Sequence, residues 1–104
     1  MTMSGLVRIC SQAELPAPGE VSEVSAEGRI FCVANLDGTI HVLNGECPHE
    51  GGPLGEGRIE DGRVVCPWHE YSFDLQTGAE WHDTEMKAEV YEAVVDGGEL
   101  RVKL

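Results

Sequence analysis

Cys47-Pro48-His49 and, sixteen residues further on, Cys66-Pro67-Trp68-His69 are two short loops of nearly the same make-up, separated by a glycine-rich spacer. Each sets a thiol and an imidazole within three residues of one another, with Pro48 or Pro67 stiffening the turn between them. A pair so close can reach one centre from a single tight loop. Two such loops make Cys47, His49, Cys66 and His69 a candidate four-ligand metal set, and donors of this kind suit zinc and iron–sulfur centres alike.

The spacer indicates how the two loops are brought together. Gly55, Gly57 and the Asp61-Gly62 turn leave two short β segments, Arg58-Ile59-Glu60 and Arg63-Val64-Val65, which read as a small hairpin carrying both loops at its ends. Upstream, Leu6 to Ile9 reads as an opening strand. Ser11 and Glu14 have capping-box spacing, but Pro16 and Pro18 limit any helix there to one turn. Val21, Val24 and the stretch Arg29 to Asn35 return to strand character. Asp37-Gly38 joins Arg29–Leu36 to Thr39–Leu43 as a hairpin, and Asn44-Gly45 turns the chain into the first Cys/His loop.

Downstream, Tyr71 to Leu75 alternates as a strand and stops at Thr77-Gly78, whereas residues 79–88 fit a loop or a short helical turn. Val90–Val95 and Leu100–Leu104 flank Asp96-Gly97-Gly98 as a closing hairpin. The expectation is an all-β fold, an antiparallel sandwich or barrel. At 104 residues it is one domain, spanning 1–104, whose core buries only about 60–65% of the unfolded surface; a metal centre would help hold it together.

Nineteen acidic against seven basic side chains give a formal net charge of -12. That makes nucleic acid and anionic membrane poor partners; the acidic surface reads equally as keeping the protein in solution or as steering it toward a basic docking face. Met1 to Cys10 has no apolar run of signal-peptide length, and no window approaches a membrane span, so a cytoplasmic location is expected. In that reducing compartment thiols serve as metal ligands or buried side chains rather than disulfides. Cys10 and Cys32 read as buried structural thiols, His41 and His82 have no matched partner, and Trp81 reads as packing. Trp68 and Leu54, beside the ligands, read equally as shielding or as a docking surface.

Cys47-Pro48-His49-Glu50-Gly51-Gly52-Pro53-Leu54, Cys66-Pro67-Trp68-His69, Phe73-Asp74-Leu75 and Thr77-Gly78 together resemble Rieske-type [2Fe-2S] ferredoxins. The resemblance implies one cluster per chain, with Cys47 and Cys66 on one iron and His49 and His69, through Nδ1, on the outer one, in a small cluster-binding subdomain over about 45–76 inserted in the β base. A structural zinc site remains the alternative from donor types alone, although neither loop has the usual Cys-x-x-Cys knuckle. With neutral imidazoles an oxidised cluster of this kind carries no net charge, whereas four thiolates leave it doubly negative. Its potential is accordingly higher, in the range of about -150 to +300 mV.

Rieske proteins of respiratory cytochrome complexes, similar around the ligands, carry two further cysteines that form a disulfide; here those positions are Gly52 and Trp68. They also place Ser and Tyr hydroxyls against the cluster, where this chain has Tyr71 and Phe73, so the resemblance implies a potential near the low end. Many relatives have Gly after the second histidine, and Glu70 here must adopt that backbone angle or change the loop, with its carboxylate beside His69. The family implies an electron carrier rather than an enzyme, working between a flavin-dependent reductase and a terminal oxygenase such as a dioxygenase. The Cys47–Leu54 loop also looks like the small subunit of assimilatory nitrite reductase, which attaches to a large catalytic subunit. A zinc-stabilised interaction module is the third reading.

Overall fold

The structure, a computed structural model, describes residues 6–104; the reading of the first five residues lies outside it. The described residues form ten strands and two single turns of 3-10 helix. β1 (Leu6–Ser11), β9 (Ala93–Asp96) and β10 (Glu99–Lys103) make one antiparallel sheet in the order β1-β10-β9. β2 (Val21–Ala26), β3 (Arg29–Leu36), β4 (Thr39–Asn44) and β8 (Val90–Tyr91) make a second, in chain order. β5 (Arg58–Glu60), β6 (Arg63–Val65) and β7 (Ser72–Asp74) make a small third sheet. The all-β expectation holds.

Tight turns account for much of this topology. Asp37-Gly38 and Asp61-Gly62 both have positive φ at each residue, 52° and 94° in the first and 51° and 77° in the second, as a two-residue hairpin matching the strand twist requires. Glu27-Gly28 forms a third such turn between β2 and β3, at 54° and 73°. The register across β3 and β4 pairs Leu36 with Thr39 and Phe31 with Asn44, so β4 delivers the chain directly to the first Cys/His loop.

β3 is the central strand, and its side chains alternate between two cores. Phe31 and Val33 pack with Ile9, Cys10, Val42, Tyr91, Leu100 and Val102 beneath the β1-β10-β9 sheet. Cys32 and Ala34 face the other way, into a cluster with Leu43, Leu54, Val64, Phe73, Leu75 and both loop cysteines. Burial on both faces is why this stretch reads as a continuous apolar run rather than an alternating one. Cys10 and Cys32 are buried as expected, and burial pushes the Cys32 thiol up to about 12.

One expected strand is divided. Val90–Val95 does not run as one partner of the last hairpin: β8 pairs with β4, Val42 opposite Tyr91, and only β9 pairs with β10. The chain crosses between sheets at Glu92, which closes the sandwich. Residues 79–88 form a loop tied back by Asp74 N–H to Ala79 O at 2.9 Å and by Ala88 N–H to Gly78 O at 2.8 Å.

Candidate metal centre

The first loop leaves β4 and is closed by its own backbone. The Cys47 N–H donates to Gly52 O at 2.8 Å and the Gly51 N–H to Cys47 O at 2.7 Å, while Gly51 turns the chain at φ 76°. The loop ends in the 3-10 turn Leu54–Glu56, where Leu54 is fully buried and its N–H reaches Gly45 O at 3.0 Å. The second loop joins β6 to β7 and closes with the Cys66 N–H on Tyr71 O at 2.7 Å. Loop 1 precedes β5 and loop 2 links β6 with β7, so the small sheet holds them side by side.

Cys47 and Cys66 lie at the base of the two loops, 3% and 0% exposed. Burial raises the Cys66 pKa; the neighbouring Cys47 thiol adds to that, and a hydrogen bond from the Trp68 amide opposes it. The buried Cys66 thiol thus disfavours its ionised form until a metal cation supplies the compensating charge. The two imidazoles stand together, ring centroids 5.2 Å apart and nearly perpendicular. The Tyr71 ring lies over His49 at 4.2 Å.

The ring nitrogens differ in their surroundings. His49 Nδ1 is buried with no hydrogen-bond partner, a state that a native polar atom seldom holds without a ligand. His69 Nε2 lies 3.0 Å from Glu50 Oε1; an N–H donated there leaves Nδ1 as the ring's free acceptor, the arrangement common among metal-bound histidines. Glu50 was not singled out by the sequence, because only the folded loop brings position 50 to position 69. Glu70, which was, turns away from the imidazole and pairs with Arg58 at 3.5 Å. It does adopt the angle a glycine would take, φ 60°, directly after His69 at 63°. Two consecutive left-handed residues reverse the chain sharply at the loop tip, at a backbone cost of order 1–3 kcal/mol each.

Other neighbours also resolve. Leu54 is shielding, since none of it reaches solvent, whereas Trp68 is half-exposed beside His69. Trp81 is not core packing: it is 60% exposed and holds the Arg63 guanidinium over its ring at 4.2 Å. His82 is exposed and His41 half-buried, both away from the Cys/His loops.

The sequence pattern of the Rieske [2Fe-2S] domain matches residues 5–94. The chain belongs to the Rieske [2Fe-2S] domain family. It is 41% identical over 61 residues to apoptosis-inducing factor 3 of Mus musculus and Homo sapiens, covering 58% of this chain and 10% of that protein. It is 30% identical over 97 residues to the ferredoxin component of the alkene monooxygenase system of Xanthobacter autotrophicus (strain ATCC BAA-1158 / Py2), covering 92% of this chain and 79% of that one. Thus the chain spans only a small part of the first of these relatives and most of the second.

Among solved structures, the Sphingomonas yanoikuyae B1 ferredoxin superposes with a TM-score of 0.82 at 27% identity, over 94% of this chain and 97% of that one. A putative NADH-dependent nitrite reductase small subunit from Mycobacterium tuberculosis superposes at 0.81 and 25% identity, over 93% and 92%. The family resolves the choice between iron–sulfur and zinc that the donor types left open. The residues present suit such a cluster by their chemistry: two buried thiols at the bases of the loops, an enclosed, unpartnered imidazole nitrogen, and a second imidazole whose Nε2 is engaged by Glu50, with the potential ligand atoms of His49, Glu50 and His69 gathered within 4.8 Å of one another.

Proposed function

We propose that this chain is a one-electron carrier of the ferredoxin type, passing electrons from a flavin-dependent reductase to a terminal oxygenase. Cys47, His49, Cys66 and His69 would hold the cluster, and residues about 45–76 would form its binding subdomain within a single Rieske domain. The observation that carries the reading is the orphaned, buried His49 Nδ1, on a loop whose own cysteine, like that of the second loop, is buried. When bound, the cluster supplies a centre that takes up and gives back one electron.

The chain's own residues divide the remaining work. Leu54, Val64 and Phe73, all fully buried, exclude water behind the cysteines. The His69 side chain, 57% exposed, and the neighbouring Trp68 form the edge at which a partner can approach. Glu50 fixes the tautomer of His69 through its Nε2. The net charge of -12 favours a partner with a basic docking face, raising the rate of encounter more than the affinity. Such a carrier would work in the cytoplasm; among the described residues no helix is long and apolar enough to cross a membrane.

Purified protein, mixed with a flavin reductase and its nicotinamide donor, is expected to bleach and then recover on adding an oxygenase component, with only transient association. A stable stoichiometric complex with a nitrite reductase large subunit would instead favour the second reading, which the superposition on a nitrite reductase small subunit supports.

A further inference from the structure

Among the described residues outside the Cys/His loops there is one buried carboxylate, Glu80, only 2% exposed. Its two oxygens serve two different segments. Oε1 accepts the backbone N–H groups of His82 at 2.7 Å and Asp83 at 2.9 Å, which closes the turn leading away from the small sheet. Oε2 accepts the backbone N–H of Ser72 at 3.1 Å. The Ser72 carbonyl is taken by the Trp81 N–H at 2.9 Å, so both backbone groups of Ser72 are held from the 80–81 segment.

Ser72 is where the second ligand loop ends. It opens β7 and follows Tyr71, whose carbonyl closes the loop onto Cys66 and whose ring lies over His49. The Ser72 hydroxyl also receives the Arg63 Nε–H at 3.2 Å, joining this point to the first residue of β6. Burial alone would raise the Glu80 pKa, but the three backbone donors outweigh it and keep the carboxyl below its ordinary value. An apolar side chain in this place would leave three N–H groups unpaired, so the site requires a two-oxygen acceptor.

We propose that Glu80 is a positioning residue for the metal centre, its carboxylate pinning the exit of the second ligand loop and so setting the placement of His69 and of Tyr71 against His49. This rests on the ligand reading above. Two substitutions divide the clamp differently. In Glu80→Gln the single amide oxygen can still accept from His82 and Asp83, while the amide NH2 opposes the Ser72 N–H. Glu80→Asp keeps the charge but is one methylene too short to span both segments.

The test compares holoprotein of wild type, E80Q and E80D by electron paramagnetic resonance of the reduced state, by redox titration and by iron release to a chelator. Both variants are expected to show shifted g-values and iron release about tenfold faster, equivalent to about 1.4 kcal/mol. The midpoint is expected to rise in E80Q, where a negative charge is removed. Folded variants with a lower melting temperature but wild-type g-values, midpoint and release rate would overturn the proposal and confine Glu80 to the 80–86 loop. Should neither variant fold, deuterium exchange of the wild type decides: the Ser72 amide is expected to be as protected as that of Phe73, and exchange at the rate of exposed loop amides overturns the clamp. Failure of the ligand reading would look different, because wild-type protein would then lack iron and sulfide altogether.

Discussion

Gly52→Ala adds one carbon to the first Cys/His loop, and its consequence follows from three distances. A Cβ at this position would stand 2.8 Å from Cys66 Sγ, 3.0 Å from Trp68 Cγ and 3.1 Å from Trp68 Cβ. Ordinary contact begins at 3.4 Å. The sulfur must therefore retreat by about 0.6 Å, well beyond the latitude of roughly 0.2 Å that metal–ligand distances allow. Gly52 lacks a positive φ, so the substitution brings no left-handed strain and the effect is steric. Overpacking of this kind costs about 1–3 kcal/mol, against a gain of about 0.4–1 kcal/mol from the stiffer unfolded chain.

With Cys66 a cluster ligand, as proposed, the clash also weakens metal binding, because its sulfur is the atom that must move. Metal-free G52A is expected to melt below metal-free wild type by a net cost of at most about 2.6 kcal/mol, while iron per chain falls and release to a chelator quickens by roughly fivefold to a hundredfold. Adding Trp68→Gly relieves the indole contacts but not the shortest one, so it is not expected to restore retention. Full iron content with wild-type release rate and midpoint in G52A would refute this packing argument.

The midpoint potential is expected within about 100 mV of the lower limit of roughly -150 mV, and a value above about +100 mV would contradict the role given to Gly52, Trp68, Tyr71 and Phe73. Leu54→Ala empties a fully buried site next to both cysteines; a loss of about 2–5 kcal/mol should lower the melting temperature by at least about 10 °C, readable by calorimetry. For Glu80, the folded carboxyl lies below its ordinary value of 4.5, so its contribution to stability is complete above that pH and is lost as pH falls through the folded value. Denaturant titrations should therefore show the gap between wild type and E80Q constant near neutrality and closing in acid; a gap that widens in acid would reverse the sign assigned here.

The sequence carried the local features of this fold and little of its long-range arrangement. Asp37-Gly38 and Asp61-Gly62 announced their hairpins because an Asp-Gly pair tolerates the two positive φ angles such turns demand. Glu27-Gly28 makes the same turn without that signature and could not be read. The division of Val90–Val95 between two sheets was invisible because Glu92 is a single polar residue in an otherwise apolar run with no turn signal, and which sheet a strand joins is set by distant partners.

The four proposed donors stood out by their spacing, since chemistry restricts which residues can serve. What surrounds them did not: Glu50 reaches His69 across nineteen residues of chain, and Glu80 reaches Ser72 across eight. Glu70, sequence neighbour to His69, pairs elsewhere, because consecutive left-handed angles carry its side chain toward Arg58.

Iron and acid-labile sulfide measured on freshly purified protein, with C47S, H49A, C66S and H69A alongside, address the centre itself. The wild type is expected to be red-brown, with two irons and two sulfides per chain as the Rieske [2Fe-2S] family requires, and each substitution to deplete both. A colourless wild-type protein with one zinc per chain and no sulfide would contradict it.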